Sequence, residues 1–203
     1  MKTLIPELNT AVQKALSTKP AQERLEILAP LIHYLKEKLR AKEAIALSFI
    51  CTHNSRRSQF SQVWAQALAH HFQIPLKTYS GGVEETAFNP RAIRTLRQQG
   101  FIIDQEGEDN PHYRIRYGSY GESLTAFSKI YDHPLNPDEN FAAIMTCSDA
   151  DENCPFIPGA DERISLLYED PKAFDDTNME SEKYLERSEQ IASELAYVFA
   201  QVK

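Results

Sequence analysis

The chain has 203 residues, of which 42% are hydrophobic and 25% charged, and its formal net charge is −7 at pH 7. This length and composition predict one main globular domain with an appendage. The acidic balance argues against nucleic acid as a partner, because phosphate backbones bind clustered Lys and Arg side chains. Residues 1–10 lack the apolar core of a signal peptide, and the longest near-continuous apolar run, residues 44–50, is too short to span a membrane. We therefore expect a cytoplasmic protein with no membrane partner.

Residues 1–43 are predicted to form a helical extension, because leucines recur at helical spacing between Leu25 and Leu39. Pro30 is expected to kink or divide this segment. It contains no chemical motif, and its expected use is packing or a dimer surface. The main domain is predicted to run from residue 44 to residue 203.

The main domain alternates predicted strands with predicted helices. Strands are predicted at 44–50, 76–80, 141–146 and 163–167, and helices at about 60–71, 90–99 and 181–202. Asn89 is expected to cap the second of these helices, with Pro90 at its first position and Gly100 just after its end. The alternation predicts an α/β fold, with an open, mostly parallel four-stranded sheet and helices on both faces.

Residues 104–140 interrupt this alternation and are predicted to form an inserted β-hairpin. Tyr113, Ile115 and Tyr117 alternate with arginines, as in a strand. The stretch 118–121 supplies a turn, and 124–131 is expected to return as the partner strand. These aromatic side chains could meet a substrate or partner, but packing of the sheet is the favoured interpretation.

An eight-residue loop from Cys51 to Ser58, here called the thiol loop, lies between the first strand and the first helix of the domain. The free N–H groups and the dipole at a helix N-terminus bind tetrahedral anions. Arg57 can grip two oxyanion oxygens, and the same positive environment is expected to make Cys51 a thiolate nucleophile. Either Ser58 or Ser55 could donate to its sulfur. The predicted oxyanion-binding residues are Thr52, His53, Asn54, Ser55, Arg56, Arg57 and Ser58. The alternative is a buried cysteine beside a solvated arginine.

The sequence Cys-x5-Arg-Ser after the first strand, with Asn54 inside it, resembles the loop of low-molecular-weight protein tyrosine phosphatases and of the related thioredoxin-coupled arsenate reductases. The resemblance extends over residues 44–203, including Ser80-Gly81 after the second strand, but excludes the insert. It implies a low-molecular-weight-phosphatase-like fold. His53 stands where the family usually has glycine. A side chain at this position is expected to restrict the conformations that the loop backbone can adopt. Arg56 replaces a cysteine that many members carry.

Cys147 and Cys154 flank a second motif, here called the redox segment. In a parallel sheet Cys51 and Cys147 both follow carboxyl ends of strands, so they are expected at the same edge. Ser148, Asp149 and Asp151 favour a helix after Cys147, and Pro155 is expected to end it. Seven residues of helix span about 10.5 Å, whereas a disulfide needs Cα atoms within about 7 Å. The helix must therefore loop out if these cysteines are to bond.

A zinc site is disfavoured, since the cysteine spacing is wider than in zinc fingers and no matched histidine pair follows. No metal is expected.

The redox segment resembles the C-x-D-A-D-x-x-C-P pattern of thioredoxin-coupled arsenate reductases. The resemblance implies that Cys51 attacks arsenate, that Cys147 then attacks Cys51 and releases arsenite, and that Cys154 takes over Cys147. The resulting disulfide would be presented to thioredoxin, so electrons come from a protein donor and no tightly bound cofactor is expected. A glutaredoxin-like donor is the other possibility. Two buried structural cysteines are the alternative interpretation.

Asp170 precedes Pro171 after the predicted fourth strand, and the resemblance implies that it is the general acid. By itself an Asp-Pro pair indicates only a turn. Tyrosine phosphatases of this class usually carry aromatic residues just beyond it, whereas this chain has Lys172 and Ala173, with Phe174 one step further. The sequence therefore favours a bare oxyanion over a phenyl ester.

Three hypotheses follow. The first is a thiol-dependent arsenate reductase. The second is a phosphatase that hydrolyses phosphate monoesters of the phosphotyrosine type through a phospho-intermediate on Cys51. The third is a non-catalytic oxyanion-binding or redox-sensing module.

Overall fold

The computed structural model describes residues 3–154 and 156–203. Within these residues the helices are α1 (Pro6–Ser17), α2 (Gln22–Ala41), α3 (Arg57–Phe72), α4 (Pro90–Gln98), α5 (Ser148–Asn153) and α6 (Glu180–Ala200), with a short 3-10 helix at Pro171–Phe174. The strands are β1 (Ile45–Cys51), β2 (Leu76–Gly82), β3 (Ile102–Glu106), β4 (His112–Arg116), β5 (Ser123–Ala126), β6 (Phe141–Met145) and β7 (Ala160–Ser165). The predicted alternation is confirmed, although β7 begins three residues earlier than expected. The sequence also predicts an end of the redox segment at Pro155, which lies outside the described residues.

The main sheet is wholly parallel, with the order β2-β1-β6-β7. Strands β1 and β6 occupy its centre because both are nearly continuous runs of buried apolar residues. The two strands stay in register to their ends, where Ile50 pairs with Met145 and the backbone N–H of Thr146 donates to the Ile50 carbonyl at 2.7 Å. Cys51 and Cys147 therefore emerge at the same edge of the sheet, as predicted.

Helices cover both faces of this sheet, as expected, but unequally. Leu47 and Phe49 of β1 face the main core, which also holds Trp64 of α3 and Leu195 of α6. The alternate residues of β1 face a smaller apolar cluster, which is covered by the short helix α5. The three cysteines belong to this second cluster. Within the described residues no helix is long and apolar enough to cross a membrane.

The two N-terminal helices are separated at residues 18–21, so the prediction that Pro30 divides this region is wrong, while a kink at Pro30 stays a prediction. Helix α2 continues through Pro30. Lys19 precedes Pro20, and a residue before proline disfavours the helical conformation. Leu28 and Leu31 are fully buried on either side of Pro30, and we infer that this packing outweighs one lost hydrogen bond. The boundary between residues 43 and 44 stays a prediction, although side chains of both helices join the main core.

The insert is a three-stranded antiparallel sheet in the order β3-β4-β5, rather than the predicted hairpin. The first strand, Ile102–Glu106, escaped prediction because its second half is polar. The return strand is also shorter than expected, and the chain beyond it runs beside β2, where Ile130 forms a parallel bridge with Gly82. Tyr113 and Ile115 are buried, so the insert uses these side chains for packing, as favoured.

Candidate active site

The thiol loop carries the chain from Cys51, the last residue of β1, to Arg57, the first residue of α3. Its one left-handed residue is Asn54, with φ 46°, a conformation that asparagine tolerates better than most residues. The Asn54 side chain donates to Ser58 Oγ at 2.8 Å and accepts from the Lys129 backbone N–H at 3.0 Å. His53 does not have a positive φ. The glycine that the family usually has at that position is therefore not required here for backbone conformation.

Gly82 allows the thiol loop to lie against the end of β2. A Cβ atom at this position would sit 2.7 Å from the Asn54 nitrogen and 2.8 Å from the Thr52 oxygen. The backbone N–H of Glu84 also donates to that Thr52 oxygen at 2.8 Å. The glycine pair that closes the second strand thus has a specific role, which is close approach of two backbones.

The Cys51 thiol is buried, with 4% of the residue exposed, and its Sγ lies 3.1 Å from Ser58 Oγ. The sequence left Ser58 and Ser55 as alternative donors to this sulfur. Ser55 instead donates to the Ala87 carbonyl at 2.7 Å. The structure therefore assigns the contact to Ser58, which Asn54 orients from its other side.

Arg57 contacts the Asp-Pro turn. Its Nη2 donates to Asp170 Oδ2 at 2.7 Å and its Nη1 donates to the Tyr168 carbonyl at 3.1 Å. Its Nε is buried and has no hydrogen-bond partner among the described residues. Because no side chain caps the N-terminus of α3, the first-turn N–H groups and one guanidinium N–H are left for an anion.

Asp170 is held through both carboxylate oxygens. While Oδ2 accepts from Arg57, Oδ1 accepts from the Lys172 backbone N–H at 3.0 Å, so the carboxylate caps the 3-10 helix that follows. This places the predicted general acid directly beside the predicted oxyanion-binding arginine. The two segments lie over a hundred residues apart in the chain, and only the fold brings them together.

Arg56 uses its guanidinium inside the protein. Its Nε donates to the Tyr184 hydroxyl at 2.7 Å, and its Nη2 lies 3.4 Å from Asp175 Oδ2. The Tyr184 hydroxyl in turn donates to Asp175 Oδ1 at 2.7 Å. Burial, followed by the bond to Asp175, raises the pKa of Tyr184, so this phenol stays neutral. Among the predicted oxyanion-binding residues, Arg56 is thus the one whose side chain is engaged by α6.

Thr52 connects the thiol loop to the redox segment. Its hydroxyl donates to Asp149 Oδ2 at 2.6 Å and lies 3.5 Å from Cys147 Sγ. Cys147 is the N-cap of α5, and its sulfur accepts from the Ala150 backbone N–H at 3.4 Å. The predicted helix between the two cysteines is therefore confirmed, and the second thiol is anchored at its start.

Cys154 follows the other end of α5. All three cysteines are buried, free thiols, and they share one apolar cluster with Ile50 and Met145. Burial raises the pKa of the Cys154 thiol, and the nearby Arg163 opposes this shift. The thiol loop that begins at Cys51 thus contacts the Asp170 turn through Arg57 and the redox segment through Thr52, and Cys154 shares one apolar cluster with the other two thiols.

A cleft of about 310 Å³ opens beside the thiol loop. None of its wall residues is Phe, Tyr or Trp; they are His53, Ser55, Arg56, Thr86, Ala87, Asn89, Pro90 and Lys172. The ring of Phe174 instead lies under the Lys183 ammonium of α6. A larger groove of about 780 Å³ lies between α1 and α6, and none of the thiol loop lines it. The volume of a cavity therefore does not identify the candidate active site, whereas the reactive side chains of the thiol loop do.

Several residues that support the site gave no signal in the sequence. Lys129 and Tyr184 meet the loop from distant segments, and Gln59 donates from its side chain to the Asn54 carbonyl at 3.0 Å. Nothing local distinguishes such residues from ordinary core or surface positions. Among the described residues, no group of three His, Cys, Asp or Glu side chains could hold a metal ion.

Comparisons with known proteins bear on the family and on the fold. No protein-family model matches the chain. An arsenate reductase of Staphylococcus aureus (strain Newman) is 31% identical over 124 residues, which cover 61% of this chain and 76% of that protein. The solved structure of a low-molecular-weight phosphotyrosine phosphatase from Vibrio cholerae O395 has a TM-score of 0.51 at 13% identity, covering 76% of this chain and 94% of the other. A solved arsenate reductase in the phosphate binding state has a TM-score of 0.51 at 18% identity, covering 78% of this chain and 98% of the other.

Proposed function

Because the chain belongs to the enzyme family of arsenate reductases and low-molecular-weight phosphotyrosine phosphatases, we propose that it reduces arsenate to arsenite through Cys51, Cys147 and Cys154. One observation carries this proposal. The hydroxyl of Thr52, the residue after Cys51, lies 3.5 Å from the Cys147 sulfur. A phosphatase needs one thiol at this edge, whereas this chain has three in one cluster.

The first step is attack of the Cys51 thiolate on arsenic. An S–As(V) bond forms, and one arsenate oxygen leaves as water after it receives a proton from Asp170. The helix N-terminus and Arg57 stabilise the negative oxygens during this substitution. The buried Nε of Arg57, which has no partner among the described residues, is the donor that an oxyanion would satisfy.

The second step is a thiol transfer. The Cys147 thiolate attacks the Cys51 sulfur, and the electron pair of the S–As bond moves to arsenic. Arsenic is thereby reduced from As(V) to As(III) and leaves as arsenite, while the two sulfurs are oxidised to a disulfide. The Cys154 thiolate then attacks Cys147, the Cys51 thiolate leaves, and a Cys147–Cys154 disulfide remains. A dithiol protein of the thioredoxin type supplies the two electrons that restore both thiols.

Hydrolysis of phosphate monoesters is the second candidate function, and the Arg57–Asp170 contact favours it. Attack on phosphorus and protonation of the leaving oxygen would need only Cys51, Arg57 and Asp170, and the last two of these are in contact. The two residues that follow the Asp-Pro turn, Lys172 and Ala173, offer no aromatic ring to hold a phenyl group. Aryl phosphates are therefore expected to be poor substrates, and both reactions would begin at the same thiolate.

The test is NADPH consumption by the purified protein with thioredoxin, thioredoxin reductase and arsenate, run beside hydrolysis of p-nitrophenyl phosphate. We expect Cys51→Ser to abolish both activities, and Cys147→Ser to abolish arsenate reduction while sparing ester hydrolysis. We expect Cys154→Ser to stop after one turnover, with a Cys51–Cys147 disulfide that lowers the mass by two hydrogens. Ester hydrolysis without arsenate-dependent oxidation of NADPH would assign the chain as a phosphatase. Phosphate binding without either turnover would assign a non-catalytic oxyanion-binding module.

A further inference from the structure

Helix α5 is too short to provide hydrogen-bond partners for the carbonyl groups at its own C-terminal end. It has six residues, it has no basic residue in its last turn, and Cys154 follows it as the C-cap. The last four carbonyl groups of any α-helix have no partner within that helix. A six-residue helix is also marginal in isolation, because few of its bonds repay the cost of nucleation. The reduced form of the redox segment therefore depends on contacts from outside the helix.

Arg163 of β7 supplies these contacts at the C-terminal end. Its Nε donates to the Cys154 carbonyl at 3.0 Å, and its Nη2 donates to the Asp151 carbonyl. The same Nη2 lies 2.7 Å from Asp151 Oδ1, which also accepts from Ser165 Oγ at 2.6 Å. One side chain thus binds two helix-end carbonyls and one carboxylate of the redox segment, including the carbonyl of the third cysteine itself.

The Cys147–Cys154 disulfide of the proposed relay is incompatible with these contacts. Helical residues seven positions apart lie about 10.5 Å from each other along the axis, and a disulfide requires Cα atoms within about 7 Å. Cys154 must therefore leave its position at the C-terminal end of α5, and its carbonyl must leave Arg163. The opposite end is released earlier, since a Cys51–Cys147 disulfide removes the Cys147 sulfur from its bond to the Ala150 N–H.

We propose that Arg163 is a positioning residue that holds the redox segment in its helical, reduced form and thereby opposes the Cys147–Cys154 disulfide. The inference rests on the proposed three-cysteine function for its consequence, but its structural part stands on the hydrogen bonds of the reduced chain. During the third step the Cys154 thiolate attacks Cys147, the Cys51 thiolate leaves, and α5 unwinds as Arg163 loses both carbonyls. The arginine therefore raises the free-energy cost of this step, because its bonds to the Cys154 and Asp151 carbonyls must break.

Hydrogen–deuterium exchange on the fully reduced protein tests the structural part. We expect Arg163→Gln to speed exchange of the amides of residues 150–154 at least tenfold, and Arg163→Lys to give a smaller increase because it keeps the charge but not the fork. The matched control is Arg114→Gln, the same change at an exposed position on β4. Unchanged exchange in Arg163→Gln would overturn the proposal, whether or not the relay exists.

The thiol–disulfide equilibrium tests the consequence. With glutathione as the reference couple, we expect Arg163→Gln to favour the Cys147–Cys154 disulfide by about tenfold, while the rate of p-nitrophenyl phosphate hydrolysis stays that of the parent. Faster exchange with an unchanged equilibrium would overturn the claim that the helix opposes the disulfide. If no variant forms this disulfide, the proposed reductase function fails, and the exchange experiment still judges Arg163. Arg163→Lys, which keeps the charge but not the fork, replaces Arg163→Gln in both measurements if the latter does not fold.

Discussion

Arg57 and Asp170 contact each other directly beside the thiol loop, with Nη2 of the arginine 2.7 Å from Oδ2 of the aspartate. The pair is only partly exposed, with 12% and 29% of the two side chains accessible. A ligand that binds Arg57 therefore arrives next to the carboxyl group of Asp170, which in its protonated form is expected to protonate the leaving oxygen. The guanidinium of Arg57 is held at a second point as well, because its Nη1 donates to the Tyr168 carbonyl.

Asp170→Asn separates proton donation from alignment. If Asp170 is the general acid, the variant should lower kcat for phenyl phosphate by about 10²–10⁴, and it should lower kcat for p-nitrophenyl phosphate less, because p-nitrophenolate leaves without a proton. Steady-state kinetics on both esters measures the two losses. The control is Glu169→Gln, since the neighbouring Glu169 side chain is 93% exposed. Equal losses on both esters would show that Asp170 only positions Arg57.

Ser58→Ala should make Cys51 less reactive, because Ser58 Oγ is the hydroxyl that lies 3.1 Å from the sulfur. Losing one hydrogen bond to a charged group costs about 1.5–3 kcal/mol, so alkylation by iodoacetamide at pH 7 should slow by about tenfold or more. Peptide mass spectrometry follows the modification of Cys51. Ser55→Ala is the matched control, since Ser55 donates to the Ala87 carbonyl instead. The assignment of Ser58 fails if the two variants react equally fast.

Arg24→Met should destabilise the protein strongly. Arg24 of α2 forms a two-pronged ion pair with Glu194 of α6, through Nε and Nη2 at 2.8 Å each, and only 2% of the Glu194 side chain is exposed. Removing one partner of such a buried pair costs about 3–5 kcal/mol. Urea unfolding measures the loss.

Arg24→Met should also lower activity, because Arg24 Nη1 donates to the Leu167 carbonyl, just before the Asp170 turn. Lys14→Met is the control, since Lys14 also pairs with α6, through Glu189, but its side chain is 62% exposed. An exposed pair contributes about 0–1 kcal/mol. Equal losses of stability in both variants would contradict the importance of burial here.

The buried Lys129 should make the free energy of unfolding increase with pH in the alkaline range. The residue is 3% exposed, its ammonium lies 4.8 Å from the centre of the Phe127 ring, and burial lowers its pKa from 10.5 to about 8. Between these two values the unfolded chain binds more of this proton than the folded chain does. The contribution of Lys129 to the free energy of unfolding therefore increases from pH 8 to pH 10.5.

Lys129→Met should remove this pH dependence and stabilise the protein at pH 7 by roughly 1–3 kcal/mol, as the lowered pKa requires. The measurement is urea unfolding of both proteins at several pH values from 7 to about 10. Lys77→Met changes an exposed lysine on β2 and should leave the difference between pH values unaltered. A parallel pH dependence in Lys129→Met and in the parent would refute this assignment.

The sequence by itself determined the strands of the main sheet and the loops that carry the candidate catalytic residues. Apolar runs such as Ile45–Cys51 predict buried parallel strands, and Asn89 with Pro90 marks a helix start that the structure confirms, where Asn89 accepts from the Arg91 N–H at 2.9 Å. The placement of Cys51 and Cys147 at one edge also follows from sequence, since parallel strands end together. These features depend on local periodicity and on sheet topology, which a single chain encodes directly.

Only the tertiary structure decided which side chains meet. It assigned Ser58 rather than Ser55 to the Cys51 sulfur, turned Arg56 toward Tyr184, paired Arg57 with Asp170, and placed Arg163 at the end of the redox segment. It also revealed strand β3, which the sequence did not predict because the second half of this strand is polar. These contacts join residues that are mostly far apart in sequence, and their hydrogen-bonding geometry depends on how the elements pack in three dimensions. Local patterns carry no record of that packing, because a buried arginine and a solvated one look the same in sequence.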